Sequence, residues 1–458
     1  MVRLVCALGL VWALLVSGGA RAATVVRDAE IESYLRQLAR PVFEAAGLDP
    51  SAVQLRLLAS PDLNAFVAGG QQLFLYTGLV LRTESPEQLA GVIAHETGHI
   101  AGGHLTRVAR AAETAAVEAL IGVLLGAAAA VSGAPELGTA IIAGGQTLAQ
   151  RGLLAFTRSQ EQNADQAAVG YLERAGYSPR GLLEFLRVLE QRNLRITAEG
   201  AEFLRTHPLT RNRILLLEEQ VEKSPTREAR VPDPLVRQHQ RAVAKIEGFL
   251  GNPEEVLAKR RGDSFPDRYA RSVALFRSGR VEEAVRLIEA MLAESPRDPW
   301  LHELLGQVLF ESGRVREAEA PYGEALRLMP GEPLLRLELA RVLVEGGDPA
   351  RLDEARALLT EVVRLEPRHP LAWRLLGVVE GRRSREGESL LALAEWAVLA
   401  RRGEDALMYI DRARRHVTPG SPAAVRLADL EREAEELYAE QRRRQRRPLL
   451  QREAPLPN

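Results

Sequence analysis

A 34-residue period in the C-terminal half of the 458-residue chain places the strongest constraint on its fold. The segment FRSGRVEEA at 276–284 returns as FESGRVREA at 310–318. Glycines recur at the same offset, at Gly279, Gly313 and Gly347. A period of this length is typical of helical hairpins that stack and bury a continuous core between neighbours. We therefore expect this part of the chain to be an α-solenoid.

Within the period, the residues follow the tetratricopeptide pattern of small and aromatic side chains. The clearest unit carries Leu305, Gly306, Leu309, Ala318, Tyr322, Ala325 and Pro330. A third unit, after a three-residue insertion, carries Leu339, Ala340, Leu343, Ala355 and Pro367. A weaker fourth unit uses Ala394, Gly403, Ala406 and Ala413, and a degenerate unit between them contains Trp373, Leu376 and Gly377. We assign residues 265–435 to a tetratricopeptide repeat domain.

Charge gives little indication of a partner. The formal net charge is −1, so no overall field favours nucleic acid or anionic lipid. Residues 436–458 form a basic C-terminal tail with five arginines between 442 and 447. Such a tail is either the solvated end of a helix or a binding patch, and the first interpretation is favoured.

The first 22 residues have the features of a secretory signal peptide. Arg3 precedes an apolar run from Leu4 to Val16, and Ala20-Arg21-Ala22 has the form of a cleavage site. The alternative, a membrane anchor, is disfavoured because the run is short for a span. The only cysteine, Cys6, lies in this segment, so we expect a mature chain without disulfides and a periplasmic location.

Residues 23–250 are expected to form a separate domain. Helical periodicity covers residues 23–47, and short β-rich runs follow at 53–58, 64–70 and 73–76. Ser85 and Pro86 then indicate the start of a helix. The Ala-rich segment 111–156 predicts a buried helical hairpin, with contact to a membrane or an apolar client as the alternative.

The motif HETGH at 95–99 carries the clearest chemistry. Residues i and i+4 share one face of a helix, so His95 and His99 can present two imidazoles to one metal ion. Glu96 lies beside the open coordination position, where a carboxylate can take a proton from water. Gly98 costs about 1 kcal/mol in a helix interior, which indicates close packing of another backbone. The alternative is a surface helix with incidental histidines.

A catalytic zinc site needs a third protein ligand. The segment RSQEQNAD at 158–165 offers Glu161 and Asp165, four residues apart on a second predicted helix. One carboxylate can bind the metal while the other holds a ligand histidine by its second nitrogen. By spacing alone, a solvated helix face is the favoured interpretation of the pair.

HETGH, the downstream RSQEQNAD and the upstream NAFVAGG together resemble the HtpX-like HExxH zinc metallopeptidases. The resemblance implies one Zn²⁺ per chain, with His95, His99 and Glu161 as ligands. It implies Glu96 as general base and Asp165 as a supporting acid. The element Thr206-His207-Pro208 matches the family's THP, which implies that His207 is a removable fourth ligand. For His104 a structural role is favoured over ligation.

The resemblance also has implications for fold and substrates. It predicts an α+β chain that is mainly α, with a helical zincin-type metallopeptidase domain and a small β-sheet, followed by a tetratricopeptide α-solenoid. A substrate can add to a sheet edge as an extra strand, and the candidates are Asn64, Ala65 and Phe66. By resemblance, the clients would be misfolded or stalled outer-membrane β-barrel proteins, and the repeats would dock clients or their assembly machinery.

Two other functions are kept open. A chaperone or adaptor of outer-membrane protein assembly, with a gated peptidase site, would use the repeats as its main functional surface. An inactive scaffold that has lost its metal is a weaker alternative, because every motif residue is present. About one zinc ion per purified chain would exclude this last alternative.

Overall fold

The computed structural model describes residues 24–452, except for 194–202, 204, 205, 124–134 and scattered positions between 105 and 122. The predicted signal peptide 1–22, with Cys6, lies outside the described residues. The chain divides into two compact units between Glu247 and Gly248. No helix among the described residues is long and apolar enough to cross a membrane.

The first unit contains a four-stranded sheet in the order β1-β2-β4-β3. The strands are β1 (Thr24–Val26), β2 (Gln54–Ala59), β3 (Ala65–Ala68) and β4 (Gln72–Tyr76). β2 and β4 run parallel, while β1 and β3 pair antiparallel at the two edges. The β-rich region was therefore predicted at nearly its observed bounds, and β3 is an edge strand.

The predicted helix over 23–47 is wrong in its first residues. Thr24, Val25 and Val26 form β1, because β-branched side chains favour a strand that can pair with β2. The helix α1 (Ala29–Ala45) begins after Asp28, whose side chain accepts a hydrogen bond from the Ile31 amide at 2.9 Å. This N-cap satisfies one of the free amides of the first turn.

The further helices of this unit include the one that carries HETGH. They are α2 (Thr77–Arg82), α3 (Pro86–Ala101), α4 (Pro135–Arg174), α5 (Arg180–Asn193), α6 (Arg211–Lys223) and α7 (Asp233–Leu250). Of these, α3 carries HETGH and packs against α1, α4 and α5. The α3 start is as predicted, since the Ser85 hydroxyl accepts from the Gln88 amide. Residues from Gln88 to Gly98 are buried without interruption, so α3 is the core helix of the unit.

Two glycines allow neighbouring helices to approach α3 closely. A Cβ atom on Gly98 would lie 3.0 Å from the Ala164 backbone of α4, and one on Gly91 would lie 2.6 Å from the Leu182 amide of α5. The prediction that Gly98 packs against another backbone is confirmed. The contact at Gly98 places the part of α4 around Ala164 directly over HETGH.

Exposed side chains in the Ala-rich segment contradict its predicted burial, while the turn of the predicted hairpin, at 124–134, lies outside the described residues. Its second part belongs to α4, which continues from Pro135 to Arg174 as one helix of 40 residues. Nothing in this stretch forces a break, because isolated glycines are tolerated within a helix while Pro135 is suited to its first turn. In its first part, Val117 and Ile121 are 56% and 50% exposed, so burial is wrong for these side chains.

The second unit is a series of helical hairpins, as the period predicted. The helices are α8 (Pro253–Lys259), α9 (Phe265–Arg277), α10 (Val281–Glu294), α11 (Pro299–Glu311), α12 (Val315–Leu328), α13 (Pro333–Gly346), α14 (Leu352–Leu365), α15 (Pro370–Arg382), α16 (Glu386–Leu399), α17 (Gly403–Ala413) and α18 (Pro422–Arg452). Short 3₁₀ helices, Pro349–Arg351 and Arg414–His416, lie beside α14 and α17.

The repeated residues have identifiable packing roles. Gly279, Gly313 and Gly347 have φ between 75° and 80°, a left-handed turn that glycine adopts without a Cβ penalty. A Cβ on Gly306 would lie 2.7 Å from the Tyr322 ring, so the pattern's glycine admits the aromatic side chain of the paired helix. The three-residue insertion of the third unit is accommodated at the 3₁₀ helix Pro349–Arg351.

The residues of the predicted fourth unit lie on two successive helices, as in the clearest unit. Ala394 lies in α16, whereas Gly403, Ala406 and Ala413 lie in α17, which packs on α18. Gly403 does not form the turn: a Cβ there would lie 2.7 Å from the Tyr438 amide. The turns here use Ser384 and Arg401 in the left-handed region, so the glycine signal is absent. The first residues of the basic tail continue α18 as far as Arg452.

Candidate metal centre

The two histidines of HETGH present their imidazoles to the same point. Nε2 of His95 and Nε2 of His99 are 3.1 Å apart on the buried face of α3. The spacing of one helical turn produces this arrangement, because i and i+4 lie above one another. Both rings are largely excluded from solvent, with side-chain exposures of 2% and 12%.

The carboxylate of Glu161 completes the cluster from α4. Its two oxygens lie 3.4 Å from His95 Nε2 and 3.4 Å from His99 Nε2. Burial raises the pKa of Glu161, but contacts with His207 and His95 outweigh it and hold the pKa far below its ordinary value. Glu161 is therefore a carboxylate anion aimed at two imidazole nitrogens.

His207 reaches the same point from the loop before α6. Its Nδ1 lies 3.3 Å from His95 Nε2 and 3.1 Å from a Glu161 oxygen. On the other side of the ring, Nε2 lies 3.2 Å from the Ala65 carbonyl oxygen of β3. A carbonyl only accepts, so Nε2 carries the hydrogen and Nδ1 presents a lone pair to the cluster. Phe203 stacks on the ring at 4.6 Å and fixes its plane.

These four side chains fit a metal ion. One ligand atom from each of His95, His99, Glu161 and His207 lies within 4.8 Å of the others. Tetrahedral zinc with bonds of about 2.0–2.1 Å places its ligand atoms about 3.3 Å apart. Five of the six pairs among the four side chains, at 3.1–3.4 Å, have that spacing, and the His99–His207 pair lies within 4.8 Å. Nitrogen and oxygen atoms that face one another this closely inside a protein are stabilised by a cation between them, either a metal ion or a proton.

Glu96 lies beside this cluster without being part of it. Its side chain is 1% exposed, and neither carboxylate oxygen has a hydrogen-bond partner among the described residues. The ring nitrogen Nε2 of His207 lies 3.4 Å from Glu96 Oε1. Burial raises the pKa of Glu96, although His207 and His95 act in the opposite direction. A buried, unpartnered carboxylate with a raised pKa is suited to accepting a proton.

Asp165 lies behind His95 rather than in the cavity. Its Oδ1 is 2.9 Å from His95 Nδ1, the nitrogen turned away from the cluster. This contact fixes the ring so that Nε2 faces the metal position. Burial raises the pKa of Asp165, but contacts with His95 and Arg213 outweigh it and lower the pKa.

Arg213 of α6 was not foreseen from the sequence. Its guanidinium donates to both oxygens of Asp165, at 2.7 and 2.9 Å, and to the Pro208 carbonyl at 3.0 Å. It also lies 3.1 Å from Glu161. The side chain is 1% exposed, so this one cation holds both carboxylates of α4 and the loop of His207. The only local sequence signal is that Arg213 follows the THP element by five residues. That signal does not reveal that the arginine side chain is buried.

Other histidines have structural contacts. His104 is buried, and its Nδ1 lies 3.0 Å from His99 Nδ1, so it holds the ring of His99 from behind. His239 bridges the Tyr34 hydroxyl at 2.9 Å and the Thr83 carbonyl at 3.1 Å. His369 is buried, and its ring accepts a hydrogen bond from the Ala372 amide as the N-cap of α15. A pattern of spacing gives no information on these tertiary contacts.

A cavity of about 460 Å³ opens beside the cluster. Glu96, His99, Glu161 and His207 line its polar end. The rest of the lining comes from the β3 region, β4, α4 and the residues next to the clustered histidines: Asn64, Phe66, Val67, Tyr76, Thr157, Gln160, His104 and Thr206. The predicted edge residues Asn64 and Phe66 therefore line this cavity, while Ala65 contacts His207. The cavity joins the candidate metal position to the open edge of the sheet.

Comparison with known proteins agrees with this geometry. Residues 26–221 match the model of Peptidase family M48. Residues 275–321, 303–351 and 337–406 match tetratricopeptide repeat models. The chain contains a peptidase family M48 domain followed by tetratricopeptide repeats. The fold class and the resemblance to a metallopeptidase family with repeats, both predicted from the sequence, are confirmed.

Curated relatives share parts of this arrangement. The beta-barrel assembly-enhancing protease of Yersinia pestis is 26% identical over 297 residues, which are 62% of this chain and 60% of the relative. A putative beta-barrel assembly-enhancing protease of Vibrio cholerae is 30% identical over 193 residues, 42% of this chain and 39% of the relative. The mitochondrial metalloendopeptidase OMA1 of Schizosaccharomyces pombe is 25% identical over 186 residues, 41% of this chain and 52% of the relative. The chain thus spans about three fifths or less of their length.

Proposed function

We propose that the protein is a periplasmic zinc-dependent endopeptidase that degrades misfolded or stalled envelope proteins, in the quality control of outer-membrane β-barrels. The observation that carries the proposal is the convergence of three imidazoles and one carboxylate beside the unpartnered carboxylate of Glu96 in an M48 domain. The predicted signal peptide supports the location. The printed names of the Yersinia and Vibrio relatives support the choice of substrate.

The proposed roles follow from position. His95, His99 and Glu161 hold one zinc ion, since their ligand atoms converge from two helices whose backbones touch. Bound zinc supplies a Lewis acid that polarises the scissile carbonyl and lowers the pKa of water. Glu96 takes the proton from the attacking water, because it is the buried carboxylate in the cavity that has no other partner.

We assign Asp165 to the positioning of His95. The sequence resemblance implied a supporting acid that could also donate a proton. Its paired contacts with Arg213 and His95, and its absence from the cavity lining among the described residues, favour orientation over proton transfer. Arg213 is a second positioning residue, since it neutralises the carboxylates that hold the imidazoles.

His207 is proposed as a removable fourth ligand that gates the site. It occupies the position where a catalytic zinc site keeps water or substrate. Its Nε2 also contacts the Ala65 carbonyl of the edge strand. A substrate strand needs the same carbonyl as a hydrogen-bond acceptor. Entry of a substrate strand and departure of His207 are therefore coupled events.

The repeats are proposed to dock clients or the outer-membrane assembly machinery. Stacked hairpins form an extended surface suited to proteins. We place the metallopeptidase domain at 23–250, the repeat domain at 265–435 and the basic tail at 436–458, as the sequence predicted. The second candidate function, a chaperone or adaptor with a gated peptidase site, is favoured by one observation: His207 occupies the fourth position of the cluster.

Cleavage of unfolded casein by the mature chain tests the proposal. Wild type is compared with Glu96→Gln and His207→Ala, and His302→Ala in the repeats is the matched histidine control. We expect His207→Ala to cut at least as fast as wild type, His302→Ala to equal wild type, and Glu96→Gln to be inactive. If zinc is bound but none of the variants cuts casein, the peptidase proposal is wrong and the chaperone function takes its place.

A further inference from the structure

The outer face of the sheet carries an aromatic cluster next to the metal centre, formed by Phe66, Phe74 and Tyr76. Phe66 stacks on Phe74 with ring centres 4.9 Å apart and an angle of 15°, and it meets Tyr76 edge-on at 6.0 Å. Phe66 and Phe74 are directly paired across β3 and β4. All three side chains are partly exposed, while their neighbours Leu73 and Leu75 fill the core.

This cluster is continuous with the catalytic cavity. Phe66 and Tyr76 line the same cavity as Glu96 and His99. Among the described residues, no lysine or arginine lines it, so an acidic side chain finds no cationic lysine or arginine there. Aromatic rings that stay partly open beside polar catalytic groups offer apolar area that a ligand can bury.

The backbone of β3 determines which side of a bound strand faces the rings. The Asn64 carbonyl accepts from the Tyr76 amide, while the next carbonyl, that of Ala65, points away from β4 to His207. Backbone groups alternate along an antiparallel strand, so Ala65 and Val67 present theirs to the open edge. Side chains alternate too, and Phe66 between them lies on the outer face.

The geometry points to an aromatic-binding subsite formed by Phe66, Phe74 and Tyr76, which selects an extended substrate segment with a large aromatic or aliphatic side chain beside the bond to be cut. This inference rests on the proposed function and names its substrate class. A segment that pairs with Ala65 and Val67 places every second side chain on the outer face. The one opposite Phe66 lies within about 5.5 Å of it, in contact distance of the rings.

The subsite therefore selects segments of β-strand character with an apolar face. Backbone pairing at the edge accepts any sequence, and the aromatic cluster adds the preference for one position. A polar or acidic side chain at that position loses the apolar contact with the rings, and an acidic one meets no lysine or arginine among the described lining residues. Disordered polar segments are poor substrates for the same reason.

Binding of labelled peptides to zinc-loaded Glu96→Gln/His207→Ala protein tests the subsite without turnover. The peptides are nine residues long, alternate threonine and glutamine, and carry Phe, Leu, Ala or Asp as a central guest. We expect the Phe peptide to bind about ten-fold more tightly than the Ala peptide, with Asp the weakest. Adding Phe66→Ala removes the preference, whereas Phe66→Leu keeps most of it.

Val25→Ala, an exposed apolar residue on the opposite edge strand, is the matched control and leaves the preference unchanged. Equal binding of all guests, or a Phe preference that survives Phe66→Ala while Phe66→Leu behaves as wild type, overturns the inference. Casein cleavage by His207→Ala separates it from the proposed function. If casein is cleaved but the peptides bind without preference for the guest residue, only the subsite inference is wrong. If the peptides show the preference but casein is not cleaved, only the proposed peptidase function is wrong.

Discussion

The metal centre and the helical repeats are stabilised in opposite ways. Around the metal centre, a few buried charged groups stabilise one another. The single side chain of Arg213 contacts Asp165, Glu161 and the Pro208 carbonyl. In the repeats, many ion pairs lie at the surface of single helices, as in Arg327–Glu324 and Arg364–Glu361. Exposed pairs of this kind contribute about 0–1 kcal/mol each, whereas breaking a buried pair costs about 3–5 kcal/mol. The stability of the metal centre therefore depends on single residues, whereas the stability of the repeats depends on a pattern that recurs in each unit.

Removal of Arg213 gives the largest expected loss of stability. Arg213→Met leaves two buried carboxylates without their cation, and we expect a loss of about 3–5 kcal/mol in the free energy of unfolding of the first unit. Zinc affinity falls by about 10–100-fold, because His95 loses its fixed orientation. Denaturant unfolding and zinc titration measure the two effects. Arg211→Met, at an exposed position two residues earlier, is the control, and equal behaviour of the two variants contradicts the assignment.

Addition of one methyl group to a glycine has opposite effects in the two regions. Gly98→Ala presses a Cβ into the Ala164 backbone at 3.0 Å, and overpacking of about 1–3 kcal/mol exceeds the helix gain of about 1 kcal/mol. Gly323 in α12 has no atom within 4 Å of its Cβ position, so Gly323→Ala stabilises by up to about 1 kcal/mol.

Thermal unfolding of the two glycine variants checks this difference. A Gly98→Ala protein as stable and as active as wild type would show that the helices α3 and α4 do not need this close approach. A destabilised Gly323→Ala would show that the repeats are packed more tightly than the structure indicates.

Glu96 is expected to lower the stability of the folded, metal-free protein. Its pKa is raised in the folded state, so between its unfolded pKa of about 4.3 and the raised value the folded state binds more protons. Stability therefore falls as pH rises through this window. Glu96→Gln removes this loss of stability. With the metal removed by a chelator, we expect the variant to have a higher melting temperature than wild type at pH 7.

The matched control for this comparison is Glu84→Gln at an exposed position, which leaves the pH dependence unchanged. Melting curves of the three chelated proteins from pH 4 to pH 8 give the measurement. A Glu96→Gln curve that follows wild type at every pH would show that this carboxylate is not held in an unfavourable environment.

The smallest effect is expected for a surface ion pair of the repeats. Arg327 and Glu324 have side-chain exposures of 63% and 33%, and Arg327→Ala should change the free energy of unfolding by less than about 1 kcal/mol. The effect should also diminish in high salt. A loss comparable to that of Arg213→Met would remove the distinction between the two regions.

The sequence predicted the parts of the protein that depend on local spacing. HETGH on a helix, the Ser85 and Pro86 start of that helix, and the 34-residue period each depend on residues close in the chain. The strand β1 was missed because its pairing with β2 is a distant contact. The sequence predicted two separate helices where the structure has the single long helix α4. Patterns of glycine and alanine do not determine where such a helix ends.

Only the family resemblance predicted that His207 lies close to the other residues of the cluster. His207 is 112 residues from His95 along the chain, and no spacing rule joins them. Arg213 was missed for a related reason: a single arginine shows its burial only when the carboxylates of α4 lie against it. These contacts are determined by how α3, α4 and α6 pack, and packing is not a periodic property of the sequence.

The zinc content of the purified, dialysed mature chain tests the central claim most directly, measured beside Glu96→Gln and His99→Ala. A zinc site formed by His95, His99 and Glu161 predicts about one zinc per chain in wild type and in Glu96→Gln, and a strongly reduced content in His99→Ala. A folded wild type that binds no added zinc, or a His99→Ala protein that keeps one zinc per chain, would contradict the account.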